Sequence, residues 1–165
     1  MNPEELLKQV SSTGAYKHWK NQHKNCYLSH FFCQVDAHCI PLAEWEVGFY
    51  NVDNGKIIVF LPQLGNFRVE DEVFKRENEI VEELSLDDVK ISLEEAEKIL
   101  RENLPILFPS EVLGNGFITL QTINQKTFWN FTFVTKTIKF VNLKVNAKTG
   151  TVDEHNVVEV IDKEK

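Results

Sequence analysis

Two segments of this chain alternate apolar and polar residues behind a tryptophan: Trp45-Glu46-Val47-Gly48-Phe49 and Trp129-Asn130-Phe131-Thr132-Phe133. Successive side chains of a strand point to opposite faces, so each segment gathers its Trp and its two apolar residues on one face. Such a face has to be covered, because one buried aromatic alone removes ~200 Å² from water. Each segment follows a strand-like run, Tyr27 to Asp36 in one case and Phe117 to Ile123 in the other. Each is then followed by a turn and a further apolar strand, Lys56 to Leu61 and Ile138 to Asn146. Both units come after a helical pattern. A recurrence of this kind points to a duplication. The expected fold is α+β: two modules in tandem, each an antiparallel sheet roofed by one helix. Trp45, Phe49, Trp129 and Phe133 are the expected core anchors.

Local signals bound these elements. Pro3 to Val10 has Pro and two Glu in its first turn, and Leu6, Leu7 and Val10 on one face, which is a helix start. Ser11-Ser12-Thr13-Gly14 is expected to end it, and residues 16–26 give no firm assignment. Asp53-Asn54-Gly55 is a hairpin turn, since Asn and Gly tolerate positive φ. Pro62 stops the next strand, and Phe67 to Phe74 is a candidate edge strand guarded by charges. Ser92-Leu93-Glu94-Glu95 is a capping box that opens a second helix, with Pro105 and Pro109 expected beyond its end. Thr151 to Ile161 reads as the last strand. The division is residues 1–76 as the first module, 77–90 as an acidic connector, 91–161 as the second module, and 162–165 as a charged tail.

Residues 92–154 resemble the PepSY family. Ile91-Ser92-Leu93-Glu94-Glu95-Ala96 is similar to the helix start of its domains, and Trp129 to Thr135 to their central strand. Val145-Asn146-Ala147-Lys148-Thr149-Gly150-Thr151-Val152 is similar to their terminal hairpin, and Glu83 to Ile91 to the linker of tandem forms. The first unit resembles the family only through its Trp strand and hairpin. There are departures. Asn146 stands where the family usually has Asp, Asn54-Gly55 replaces Thr-Gly, and the first helix lacks the Glu-Ala pair. The resemblance implies a cystatin-like fold, no catalysis, and a role in binding or inhibiting peptidases. It carries over no active-site residue.

Charge narrows the partners. The chain has 18 basic and 25 acidic residues, a net charge of −7. The excess acid lies in the middle, where Arg68 to Asn103 holds thirteen acidic residues against six basic ones. No basic stripe exists to neutralise phosphates, so nucleic acid is not an expected partner. No apolar run approaches the ~18 residues of a membrane span, and the first residues lack a basic segment followed by an apolar one. Three cysteines, an odd number without such a leader, fit a reducing compartment. The expectation is a cytoplasmic protein without a membrane partner, although PepSY members are commonly exported or membrane-tethered.

One cluster invites chemistry. His18, His23, Cys26, His30, Cys33, His38 and Cys39 all fall in one short stretch. Their spacing matches no standard zinc module. If 27–36 is a strand, His30 and Cys33 face opposite sides. Cys26, His38 and Cys39, all near strand ends, are the weak metal candidates, and no metal or other cofactor is expected. No thiol sits at a helix N-terminus, no Ser in a nucleophile elbow, and no Gly-rich loop precedes a helix. The expected function is non-enzymatic: a protein- or peptide-binding module that regulates or inhibits a peptidase. Two alternatives stay open, a metal- or thiol-dependent protein using residues 18–39, and a carrier of a small apolar ligand between two sheets.

Overall fold

The computed structural model describes residues 1–63, 66–67, 71–72 and 80–159. Asn2 Oδ1 accepts from the amides of Glu4 and Glu5, and Pro3 occupies the first turn, so helix α1 runs Pro3–Ser12. Thr13 both ends it and starts the next helix. Its amide donates to Val10 O, while its hydroxyl accepts from Tyr16 N. Helix α2, Gly14–Gln22, therefore occupies much of the unassigned stretch 16–26. The expected stop at Ser11–Gly14 is a junction, because the Thr side chain that breaks one helix satisfies a first-turn amide of another.

The strands are β1 (Cys26–Val35), β2 (Glu46–Asn51), β3 (Lys56–Leu61), β4 (Asn66–Phe67), β5 (Asp71–Glu72), β6 (Leu113–Ile123), β7 (Lys126–Thr135), β8 (Lys139–Asn146) and β9 (Val152–Glu159). Among the described residues they form one antiparallel sheet in the order β4-β3-β2-β1-β6-β7-β8-β9, with β5 also on β3. The edge strand expected over Phe67 to Phe74 is the pair of short strands β4 and β5; residues 68–70 and 73–74 lie outside the described residues. So do 77–79 of the connector, the last positions of the strand expected to reach Ile161, and the tail 162–165.

The centre of the sheet is the pairing of β1 with β6, with Phe31 opposite Leu120, Phe32 opposite Thr119, and Cys33 opposite Ile118. On one side Phe31 pairs with Val47, and Val47 with Phe60. On the other, Ile118 pairs with Phe131, and Phe131 with Leu143. A half-turn about the Phe32–Thr119 pair therefore carries β1 to β6, β2 to β7 and β3 to β8 with register kept.

One face carries the core. Phe31, Cys33, Val47, Ile118, Leu120, Trp129, Phe131, Val141 and Leu143 are almost wholly buried there. α1 and α2 contribute Val10 and Trp19, and Trp19 packs on Phe49 and Phe60 with ring centroids 5.8 and 5.5 Å apart. α3 (Leu93–Leu107) contributes Leu93, Ala96 and Leu100. Its capping box is complete: Ser92 Oγ accepts from Glu95 N, and Glu95 Oε2 from Ser92 N. The helix continues through Pro105, which the sequence placed beyond its end. Proline removes an amide and clashes with the carbonyl one turn back. Here the affected carbonyl belongs to Arg101, an exposed residue, and Phe108 N still closes the last turn on Leu104 O at 2.9 Å.

The strap from Ile80 to Ile91 joins the halves. Leu84 N donates to Leu28 O, Lys90 N and Ile91 N both donate to Ala147 O, and Leu86–Asp88 forms one 3-10 turn. Among the described residues no helix is long and apolar enough to cross a membrane.

Candidate functional site

The histidines and cysteines of the N-terminal third are spread along β1 and its flanks. Cys26 opens β1, and its Sγ donates to His23 O at 2.8 Å while Lys20 Nζ reaches its carbonyl and sulfur. Cys39 lies beyond the far end of the strand, with φ 65°. Ten strand residues separate those ends by roughly 30 Å, so Cys26 is not brought together with His38 and Cys39. His38 N and Ile40 N donate to Asp36 Oδ1, which holds that carboxyl below its usual range, and the His38 side chain is exposed. Burial pushes the Cys33 thiol up to about 11 and the Cys39 thiol up to about 12, so both stay protonated at neutral pH. Among the described residues no three His, Cys, Asp or Glu side chains are grouped to hold a metal ion.

The four Trp and Phe positions are not equivalent. Phe49, Trp129 and Phe133 are buried, and Trp129 Nε1 donates to Ile91 O at 2.8 Å. Trp45 precedes β2 and only half enters the core. The Trp19 indole, not singled out from the sequence, takes the matching place over Phe49 and Phe60. The pattern Tyr16, Trp19 at helical spacing was its signal, hidden by the polar residues around it.

Two concavities mark the surface. One, of about 550 Å³, lies beside the chain's first residues and is lined by Met1, Pro3, Leu86, Val89, Ile91 and Trp129. Several of its polar groups are paired with one another or with the backbone: the Met1 amine with Glu94 at 3.0 Å, Ser92 in the capping box, and Trp129 with Ile91. The other, of about 790 Å³, lies on the sheet face opposite the core. His30, Phe32, Thr119 and Gln121 form its floor, with Ile80 to Glu82 of the strap on one side and the β6–β7 turn at Asn124-Gln125 on the other. Both turn residues have positive φ, as a tight hairpin requires, and Gln125 N donates to Glu82 Oε1 at 2.8 Å, which ties strap to turn.

Here polar groups remain unspent. Ser29 Oγ lies 3.1 Å from Gly48 O and 2.8 Å from His30 Nδ1. A hydroxyl has one proton, so Ser29 donates it either to Gly48 O or to Nδ1, and the His30 tautomer follows that choice. Burial pulls the His30 imidazole down to about 4, which leaves it neutral at pH 7. Its ring sits over β2 in space left open because residue 48 is Gly: a Cβ there would sit 2.1 Å from His30 Cε1. Thr119 Oγ1 is buried with no partner among the described residues. Nothing local in the sequence marks this constellation. His30 stands out in the sequence only as one of the clustered metal candidates, and Thr119 carries no local signal.

Comparison with known proteins places the second half. Residues 90–153 match the family PepSY, described as "Peptidase propeptide and YPEB domain". No curated protein matches. Among solved structures, the crystal structure of a "putative lipoprotein" from Clostridium difficile 630 is similar: 15% identity, TM-score 0.52, covering 87% of this chain and 90% of that one. At that identity the likeness is one of fold, and it extends across both halves of the sheet. Lys90 to Asp153, the segment that forms α3, β6, β7, β8 and the start of β9, is thus the part of this chain that carries the PepSY match.

Proposed function

We propose that the chain is a non-catalytic, protein- or peptide-binding module of two PepSY-type units in tandem, and that it regulates or inhibits a peptidase. The match at 90–153 is the observation that carries this reading, since a PepSY domain points to a propeptide-like or regulatory role. The tandem part is supported by the half-turn relation of β1-β2-β3 to β6-β7-β8, with the units divided near residues 77–90. The route of binding is supported by β9. It ends the sheet, most of its residues are exposed, and Val157 and Val158 are 42% and 52% exposed. An extended segment can add to such an edge by main-chain hydrogen bonds. Three free, buried thiols support a reducing, cytoplasmic setting, although the similar structure is named a lipoprotein.

Titration of the purified chain into purified metallo- and serine peptidases, read with fluorogenic peptides, tests the reading. Inhibition of one class is expected, with backbone amide shifts concentrated in β9 and relief by Val158→Lys. Unchanged activity of every peptidase, together with no amide shifts on adding extended peptides, would sink it.

A further inference from the structure

The side chains along β9 set which strand its open edge can accept. Register assigns them to faces. On the face away from the core, Val134 stands opposite Phe140, and Phe140 opposite Val158. These three are 38%, 37% and 52% exposed, so an uncovered apolar row runs across β7 and β8 and stops at the edge. On the core side, Val157 stands opposite buried Val141 and is itself 42% exposed. The core therefore also runs out at the edge, one residue away from the end of the outer row. Rows of this kind continue from strand to strand, because directly opposed side chains on one face touch.

Charge is as one-sided as the apolar rows are open. β9 holds three acidic residues, Asp153, Glu154 and Glu159, and no Lys or Arg. The cations that meet two of them stand on inner strands: Lys144 of β8 reaches Glu154 at 2.6 Å, and Lys126 of β7 reaches Asp153 at 3.7 Å. Lys139, opposite Glu159, meets Glu111 instead, at 3.0 Å. Among the described residues no cation meets these carboxylates from the outer side of the strand.

Taking β9 as the binding edge, as proposed above, we propose that it accepts an antiparallel peptide strand with two adjacent apolar residues flanked by basic ones. A basic residue lies opposite Glu159, apolar residues opposite Val158 and Val157, a small polar residue opposite Asn156, and a second basic residue opposite Glu154. One apolar side chain extends the outer row and the other extends the core. The two cations meet carboxylates that the inner strands approach from one side only. A second copy of the chain is a poorer occupant, since its own β9 brings three more acidic residues and no Lys or Arg to the seam.

Three capped peptides test it: Lys-Ile-Val-Thr-Thr-Lys, the charge-reversed Glu-Ile-Val-Thr-Thr-Glu, and Lys-Ser-Ser-Thr-Thr-Lys, which lacks the apolar pair. Each is titrated into the full chain at pH 7 and low salt while the β9 amides are followed by NMR. The first is expected to move them saturably, about tenfold tighter than the charge-reversed peptide and about fivefold tighter than the Ser peptide. Its lead over the charge-reversed peptide should shrink as salt is added. Glu154→Lys combined with Glu159→Lys, at two exposed positions, should invert the order of the two charged peptides. The peptide series on the unaltered chain decides the matter if that variant fails to fold. Equal affinity of the first peptide and either control at β9 would overturn the stated pattern while leaving β9 as a binding edge. β9 amides unmoved by all three peptides would overturn both. A chain already dimeric through β9 in light scattering would make a second copy the occupant and overturn the pattern as well.

Discussion

The two halves of the sheet share strand order and register but not the way they are held. In the second half the strand tryptophan, Trp129, is fully buried and tied through Nε1 to the strap at Ile91. In the first half Trp45 stops short of β2, and Trp19 on α2 fills the core instead. The outer faces diverge too. A half-turn about Phe32–Thr119 carries His30 onto the place of Phe117, so one half has a hydrogen-bonding imidazole where the other has an aromatic ring. Packing a face requires only apolar volume, which several elements can supply; a polar group in a concavity needs particular partners. Similar frames can therefore differ first on the faces that do not have to pack.

Two of the crowded glycines sharpen that contrast. A Cβ at Gly116 would lie 2.0 Å from Thr132 O, a backbone atom that cannot step aside. Gly116→Ala should cost about 3–4 kcal/mol or prevent folding, measured by denaturant unfolding. At Gly48 the three atoms nearest to an added Cβ all belong to the His30 ring, a side chain.

A smaller effect tests His30. In an unfolded chain its imidazole titrates near 6.5, and in the fold near 4. The unfolded state therefore binds the proton first as pH falls. Stability is fully present above about pH 7, declines between about 6.5 and 4, and levels off below, losing about 3 kcal/mol in all. His30→Gln should remove that part of the slope; an identical slope in the variant would refute the buried neutral imidazole.

The tryptophans come next. Trp129→Phe should lose about 2–3 kcal/mol through a cavity and an unpaired Ile91 carbonyl, whereas Trp45→Phe should lose about 1 kcal/mol or less. Equal losses in thermal unfolding would restore the equivalence that the sequence suggested. Gly48→Ala should cost about 1–2 kcal/mol, and most of it should vanish in a His30→Ala background, a coupling that a double-mutant cycle reads directly. Smallest is Lys148→Ala. Its ammonium meets Asp88 at 3.3 Å in an exposed pair, so stability should change by no more than about 0.5 kcal/mol.

Alternation at Trp129, Phe131 and Phe133, the Asn54-Gly55 and Thr149-Gly150 turns, and the capping box at Ser92 were all legible in the sequence. Each is set by residues a few positions apart, within reach of strand or helix periodicity. Helix α2 was not legible, because Thr13 ends one helix and caps another and nothing local distinguishes the two roles. Nor was the helical run through Pro105, which depends on whether the freed carbonyl meets water or protein.

By itself the sequence determined the α+β composition, the apolar face of each sheet half, and the PepSY-like segment, because these follow from short-range pattern and burial. Only the tertiary structure decided that β1 pairs with β6 to make one sheet, that Trp19 replaces Trp45 as the first half's anchor, and that His30 and Thr119 share a concavity. Those depend on which distant backbones meet. Main-chain hydrogen bonds between β1 and β6 are available to almost any residues, so their partners leave no mark in local sequence.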